Sequence, residues 1–219
     1  MLSTLFPTFI IDSSRATTQL CHTGHICGTD KSPYNVRGHR HPYTAVYTML
    51  FASLLSRPIR MAEIGIANGA SAEMWEEYFT HPESEIHMFD NDAGLVEYVK
   101  SRVPSERLRA NTMNVAIDGD VSRALRQSSN GELYDVIIDD SSHNLEHQIR
   151  IVKEAMPFIK PGGMLIIEDI FKSTADEAYL EPLKEQIQQC AFAYFVQCEH
   201  TLRWSPGWDN DKLLVLVKH

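Results

Sequence analysis

Tyr134-Asp-Val-Ile-Ile-Asp139-Asp140 and Gly163-Met-Leu-Ile-Ile-Glu168-Asp169 are two short apolar runs, each ending in a pair of acids. Runs of this length, rich in β-branched residues, predict strands that are buried on both faces, as in parallel sheets. Residues 146–160 between them have apolar positions at helical spacing, so the whole stretch predicts a βαβ unit. Because such crossovers are right-handed, the strands are parallel and both acidic pairs reach the same carboxyl edge of the sheet.

Carboxylates gathered at one edge repel each other unless a positive group lies among them. A hard cation that prefers oxygen ligands, such as Mg²⁺, would satisfy Asp140, Glu168 and Asp169 together. The ordinary alternative is that these are solvated loop acids, which commonly follow buried strands.

The rest of the chain alternates strands and helices, which predicts an α/β fold with a doubly wound, Rossmann-like sheet. The sheet is expected to be mostly parallel, with an antiparallel last strand at residues 212–218. Residues 1–56 are predicted to be an irregular segment followed by a helix from Tyr43 to about Leu55, within the same domain as the cofactor-binding part at 57–219. A capping-box pattern at Thr174 predicts a helix to about Gln189.

The composition narrows the classes of function. The formal net charge of −9 argues against nucleic acid as the main partner, and no uncharged run is long enough to span a bilayer. The first seven residues make a poor signal peptide, and four cysteines in 219 residues indicate free thiols in the cytoplasm. A small neutral or cationic ligand fits this charge.

A glycine loop follows the strand at residues 60–65. Its pattern, Glu63-x-Gly65-x-x-x-Gly69, permits close approach of the backbone to a ligand, and Asp90 at the next strand end is placed to accept from both hydroxyls of a ribose. Position 67 is Ala, so the G-x-G-x-x-G fingerprint of NAD is absent. The pattern suits S-adenosylmethionine, although a tight turn without a ligand is the alternative.

Two zinc patterns compete with this interpretation. His143-Asn-Leu-Glu146-His147 matches the H-x-x-E-H signature of a metalloprotease, and Cys21-His22-Thr-Gly-His25-Ile-Cys27 contains four residues of zinc-ligand type. The first pattern recurs by chance in unrelated proteins, and the second matches no closed zinc signature.

Taken together, these residues resemble the macrocin- and mycinamicin-type metal-dependent sugar O-methyltransferases, which are class I S-adenosylmethionine methyltransferases. The resemblance covers about residues 28–169. It rests on five segments, which are Gly28-Thr-Asp-Lys31, His41-x-Tyr43-x-x-x-Tyr47-x-x-x-Phe51, Glu63-Ile-Gly65, Ile138-Asp-Asp-Ser-Ser-His143 and Ile166-Ile-Glu168-Asp169. A branch resembling cephalosporin hydroxylases shares much of this pattern.

The resemblance implies a role for each motif residue. It makes Asp140, Glu168 and Asp169 the Mg²⁺ ligands and His143 the general base. It assigns the cofactor to a further set, namely Glu63, Gly65, Gly69, Asp90, Asn114 and Asp139.

The implied reaction is Mg²⁺-dependent O-methylation of a small molecule, a sugar or a glycosylated natural product. A catechol-type O-methyltransferase and a non-catalytic cofactor-binding module are the alternatives, and a homo-oligomer is left open.

Overall fold

The computed structural model describes residues 6–219, which form eight strands and eight α-helices. Residues 1–5, and with them most of the segment tested for a signal peptide, lie outside the described part. The strands are β1 (Thr8–Asp12), β2 (Arg60–Ile64), β3 (Glu85–Asp90), β4 (Leu108–Thr112), β5 (Tyr134–Asp139), β6 (Ile159–Ile167), β7 (Cys190–Glu199) and β8 (Lys212–Lys218). The helices are α1 (Gln19–Cys27), α2 (Tyr43–Phe51), α3 (Ala70–Tyr78), α4 (Ala93–Arg102), α5 (Asp120–Ser129), α6 (Leu145–Ala155), α7 (Glu177–Leu180) and α8 (Lys184–Ile187).

All eight strands form one sheet, in the order β1-β7-β8-β6-β5-β2-β3-β4. Strand β8 runs antiparallel to its neighbours β6 and β7, and every other pair is parallel. The predicted doubly wound, mostly parallel sheet with an antiparallel last strand is therefore confirmed. No helix within residues 6–219 has both the length and the apolar character that a bilayer crossing requires.

The central strands are buried on both faces, because each face of the sheet packs against a separate apolar core. In β5, Val136 and Ile138 belong to one core cluster, whereas Ile137 belongs to the other. Strand β6 divides in the same way, with Ile166 on one side and Leu165 on the other. Successive side chains of a strand point to opposite faces, so a continuous apolar run is what a strand covered on both sides needs.

The prediction that the first 42 residues are irregular was wrong. Strand β1 adds to the sheet edge, parallel to β7, and α1 begins after the N-cap Thr18 and ends at Gly28, which has a left-handed backbone. Strand β1 is mostly exposed, so its sequence lacks the alternation that marks a half-buried strand. The four cysteines are free thiols, as predicted.

Two predicted helix ends also needed correction. The segment 174–189 contains two short helices, α7 and α8, because Pro182 between them cannot continue a helix, and the N-cap of α7 is Asp176 rather than Thr174. Helix α6 ends at Ala155 rather than Lys160, since a 3₁₀ turn containing Pro157 leads directly into β6.

A buried histidine in β3 predicts how stability depends on pH. His87 is 1% exposed, its Nδ1 lies 2.8 Å from the Tyr134 hydroxyl, and burial lowers its pKa from 6.5 to about 4. Between those values the unfolded chain binds a proton that the folded chain excludes, so stability falls as the pH drops through this window. We expect the protonation of His87 to lower the free energy of unfolding by about 3 kcal/mol between pH 6.5 and pH 4. Urea denaturation at the two pH values measures this loss.

The double substitution His87→Leu with Tyr134→Phe should remove that contribution and leave no unpaired hydroxyl. The exposed His22 provides a control, since His22→Gln should leave the pH profile as it is in the wild type. A double variant whose stability falls as steeply as that of the wild type would contradict this role of His87.

Candidate active site

The carboxyl edge of the sheet gathers the acids that follow three strands. Asp90 ends β3, Asp139 ends β5 with Asp140 directly after it, and Glu168 and Asp169 follow β6. The three strands are parallel members of one sheet, so the acids lie at a common edge. Two adjoining cavities open there.

The first cavity, of about 290 Å³, has the mixed lining that an adenosine group requires. Gly65, Asp90 and Asp140 line it, together with the apolar side chains of Met113 and Val115. The Asp90 carboxylate accepts from the backbone N–H groups of Ile66 at 2.9 Å and Asp92 at 3.0 Å. These bonds fix its orientation, and each oxygen has a further lone pair to accept from a ligand hydroxyl.

The two loop glycines serve different purposes. Gly65 has φ of +111°, and a Cβ added there would lie 2.0 Å from the Asp140 carbonyl oxygen, so the absent side chain makes room for the backbone after β5. Gly69 is the left-handed N-cap of α3, and a Cβ there would meet Arg102 and Val99. Gly65 borders the cavity, whereas Gly69 does not.

Three other residues predicted to bind the cofactor do not line the first cavity. Asn114 Oδ1 accepts from the Ala116 N–H at 3.0 Å, within its own turn. Asp139 is buried, and burial raises its pKa to about 7, while its Oδ1 accepts from the Ser141 hydroxyl at 2.6 Å. Glu63 is fully buried and accepts from the Trp75 Nε1–H at 2.5 Å. Their assignment to the cofactor stays a prediction.

The second cavity, of about 400 Å³, shares Ala67, Asp140 and Ser141 with the first. His143, Asp169 and Trp208 also line the second cavity. A ligand in the first cavity and a ligand in the second would therefore meet beside Asp140.

Asp140, His143 and Asp169 form a cluster between the cavities that is suited to a cation. Each offers one ligand atom, and these atoms all lie within 4.8 Å of one another. His143 and Asp169 have left-handed backbones, with φ of +54° and +55°, which turn both side chains toward the cluster. Carboxylate oxygens are the ligands that Mg²⁺ prefers, so Asp140 and Asp169 fit a divalent cation by chemistry and by separation.

Glu168 is not a member of that cluster, although it precedes Asp169. Its Oε1 accepts from the Tyr47 hydroxyl, and its Oε2 accepts from the Lys31 ammonium at 2.6 Å. The predicted role of Glu168 as a metal ligand would require an exchange of these partners, and it stays a prediction.

Lys31 is a component of the site whose role the sequence did not reveal. Its ammonium also contacts Asp140 at 2.5 Å and Glu63 at 3.0 Å, and the side chain is 1% exposed. Burial opposes the charged form, but the carboxylates of Asp140, Glu168 and Glu63 outweigh it and hold the pKa of Lys31 well above its usual range. The Gly28-Thr-Asp-Lys31 motif marked this residue, but no periodicity places it beside the acids.

Helix α2 and the loop before it supply the remaining partners of Asp169. The Tyr43 hydroxyl donates to Asp169 Oδ1 at 2.6 Å, and His41 Nδ1 lies 3.6 Å from the same oxygen. Burial opposes protonation of His41, but its hydrogen bond to Asp211 and the nearby Asp169 raise its pKa to about 9. The aromatic residues of α2 thus pack in the core and hold the acids through their hydroxyl groups.

Neither zinc pattern forms a site within residues 6–219. His143 precedes the N-cap of α6, and His147 Nδ1 instead lies 2.7 Å from the Ser142 hydroxyl. In α1, Cys21 and Cys27 are buried, whereas His22 and His25 are exposed. Among the described residues, the groups that could hold a metal ion contain neither His143 together with His147 nor the four candidates of α1.

Comparisons with known proteins agree with this geometry. Residues 62–170 match the model of a methyltransferase domain family. The 8-demethyl-8-alpha-L-rhamnosyl tetracenomycin-C 2'-O-methyltransferase of Streptomyces olivaceus is 30% identical over 139 residues, in an alignment that covers 59% of this chain and 33% of that protein. The mycinamicin VI 2''-O-methyltransferase of Micromonospora griseorubida is 29% identical over 144 residues, in an alignment that covers 61% of this chain and 33% of that protein. The chain spans about a third of the length of the curated relatives it matches.

Solved structures share the fold. MycE methyltransferase from the mycinamycin biosynthetic pathway, in complex with Mg, SAH and mycinamycin VI, aligns with a TM-score of 0.67 at 21% identity, covering 94% of this chain and 55% of that one. An O-methyltransferase from Bacillus cereus in complex with SAH aligns with a TM-score of 0.59 at 14% identity, covering 94% of each chain.

The protein therefore has the fold of the class I methyltransferases. Its residues 62–170 are similar to a methyltransferase domain family. Within that class, it resembles the mycinamicin- and macrocin-type O-methyltransferases, as the sequence motifs predicted.

Proposed function

We propose that this protein is an S-adenosylmethionine-dependent O-methyltransferase that requires a divalent cation and acts on a sugar hydroxyl of a small glycosylated molecule. The observation that carries this proposal is the position of Asp140, which borders both cavities and belongs to the cation-binding cluster. The relatives named for methylating sugar hydroxyls support the choice of acceptor class. The four free thiols fit a reaction in the cytoplasm.

In this mechanism, the residues at the sheet edge orient the reactants and accept a proton. S-adenosylmethionine supplies an activated methyl group, and a bound divalent cation lowers the pKa of a neighbouring hydroxyl. Asp90 would hold the ribose of the cofactor, and Asp140 and Asp169 would hold the cation. Alignment of the acceptor with the methyl group then provides much of the rate enhancement.

We assign the role of general base to His143. Its Nε2 lies 3.4 Å from Asp169 Oδ2, and its Nδ1 has no hydrogen-bond partner among residues 6–219. An imidazole accepts a proton through the ring nitrogen that carries no hydrogen, and the His143 ring lines the second cavity, where the acceptor hydroxyl would lie. The edge of Trp208 packs on the ring, with centroids 5.9 Å apart, and limits its movement.

The direct test of this function is transfer of a labelled methyl group from S-adenosylmethionine to a set of acceptors, with Mg²⁺ and with excess EDTA. We expect methylation of rhamnosylated acceptors, such as 8-demethyl-8-alpha-L-rhamnosyl tetracenomycin-C, in Mg²⁺ and none in EDTA. Methylation restricted to catechols would show that the acceptor is a phenolic diol and not a sugar. Cofactor binding without transfer to any acceptor would favour the non-catalytic module.

Trp208 is expected to contribute to acceptor binding. It lines the second cavity but not the first, and its side chain is 43% exposed, so it offers an aromatic face to an acceptor ring. We expect Trp208→Ala to raise the KM for the acceptor about tenfold, with unchanged affinity for S-adenosylhomocysteine. Steady-state kinetics and calorimetry measure these quantities.

Trp204 supplies the matched control for that substitution. It is similarly exposed, at 48%, but it does not line the second cavity. Trp204→Ala should leave the KM near the wild-type value. An equal rise in KM for both variants would show that Trp208 has no specific role in acceptor binding.

A further inference from the structure

The ammonium group of Lys31 joins carboxylates that follow or belong to three different strands. It lies 3.0 Å from Glu63 in β2, 2.5 Å from Asp140 after β5 and 2.6 Å from Glu168 after β6. The side chains of Lys31, Glu63 and Glu168 are each no more than 1% exposed. Solvent therefore screens these attractions weakly. Burial raises the pKa of Glu63 and of Glu168, and the Lys31 ammonium opposes that rise by stabilising the ionised carboxylates.

The backbone of Lys31 is held independently of these acids. Its carbonyl oxygen accepts from the N–H groups of Tyr43 at 3.1 Å and Thr44 at 3.2 Å, the first two residues of α2. These donors have no partner within the helix, so the bonds complete the helix N-terminus. Lys31 is thus fixed at one end by α2 and at the other by the acids.

This arrangement occupies oxygens that a divalent cation would otherwise use. Lys31 takes Oδ2 of Asp140 and Oε2 of Glu168, while Tyr47 takes Oε1 of Glu168. The ammonium also adds a positive charge beside the cluster of Asp140, His143 and Asp169. Both effects weaken the attraction of the site for a second cation.

We infer that Lys31 is a positioning residue of the cation site, which orders Asp140 and Glu168 before a metal binds and limits the affinity for that metal. The inference rests on the proposed function, because it concerns the same site. Lys31 leaves Asp140 Oδ1 available to the metal, together with Asp169 Oδ2, because Asp169 Oδ1 accepts from the Tyr43 hydroxyl. A site ordered in this way can exchange its cation, since the acids keep a partner when the metal leaves.

The test is Mn²⁺ binding to chelator-treated protein, followed by the electron paramagnetic resonance signal of the free ion. We expect Lys31→Met to bind Mn²⁺ about tenfold more tightly than the wild type, because an opposing charge is removed and carboxylate oxygens are released. Without metal, the variant should unfold at a lower temperature, and saturating Mn²⁺ should raise its Tm by more than it raises that of the wild type.

A second variant covers the case in which Lys31→Met does not fold without metal. Lys31→Met combined with Glu63→Gln removes the cation and one of its carboxylates together, and Glu63 lies outside the cation-binding cluster. This double variant should fold and should also bind Mn²⁺ more tightly than the wild type.

Lys160→Met is the matched control. Lys160 pairs at 2.7 Å with the buried Asp135 at the amino end of β5, at the opposite edge of the sheet. Its removal should leave Mn²⁺ affinity unchanged. Equal or weaker Mn²⁺ binding by both Lys31 variants, with binding intact in the wild type, would overturn the inference alone. Absence of Mn²⁺ binding by every protein would overturn the proposed metal dependence and the inference with it.

Discussion

Replacing Asp140 by Asn is expected to lower kcat for methyl transfer by about a thousandfold, with little change in affinity for S-adenosylhomocysteine. The substitution removes one negative charge from the cation-binding cluster but keeps the size of the side chain. It also leaves Asp90 and the apolar lining of the first cavity in place. Single-turnover kinetics at saturating Mg²⁺ and calorimetry of the cofactor product measure the two effects.

His143→Asn is the companion to that variant. Asn tolerates the left-handed backbone that His143 adopts, with φ of +54°, so this substitution removes the base with little strain. We expect a similar loss of kcat but retained Mn²⁺ binding, because the two aspartates remain. Asp118→Asn is the control, since its side chain is 98% exposed and should be dispensable. Wild-type turnover in either active-site variant would contradict the assigned roles.

Gly65→Ala is expected to destabilise the fold by about 3 kcal/mol or more. The new Cβ would lie 2.0 Å from the Asp140 carbonyl oxygen, and the backbone has a positive φ. The segment after β5 must move to relieve this contact, so cofactor and metal binding should weaken as well. Urea denaturation and calorimetry report the stability and the binding.

Gly119→Ala separates the contact from the backbone strain. Gly119 also has a positive φ, of +78°, but a Cβ there would meet no atom within 4 Å. The Gly119→Ala substitution should lower the free energy of unfolding by about 1 kcal/mol and leave cofactor and metal binding intact. If both alanine variants lost the same stability, the close approach of Asp140 would not be the reason for glycine at position 65.

The grouping of acids at the carboxyl edge of the sheet could be predicted, because it follows from simple rules. Continuous apolar runs such as those of β5 and β6 are needed only where a strand is covered on both faces. Parallel strands then bring their carboxyl ends together, so Asp90, Asp140 and Asp169 could be placed at one edge of the sheet from the sequence.

The individual partners of the acids could not be predicted in the same way. Glu168 and Asp169 are adjacent in sequence, but the chain turns at Asp169, with φ of +55°, so their carboxylates meet different groups. Lys31 reaches the acids through a loop whose path depends on the N-terminus of α2. Neither the turn nor the loop has a periodic pattern, and burial of a lysine is uncommon enough that sequence alone favours an exposed one.

The most direct test of the central claim is calorimetric titration of S-adenosylmethionine into chelator-treated protein, repeated with the Asp90→Ala variant. The account predicts one site per chain with micromolar affinity in the wild type, and binding at least about tenfold weaker in the variant, because the ribose hydroxyls lose their acceptor. Absence of binding by the wild type, with or without Mg²⁺, would contradict the assignment of this protein as an S-adenosylmethionine-dependent methyltransferase.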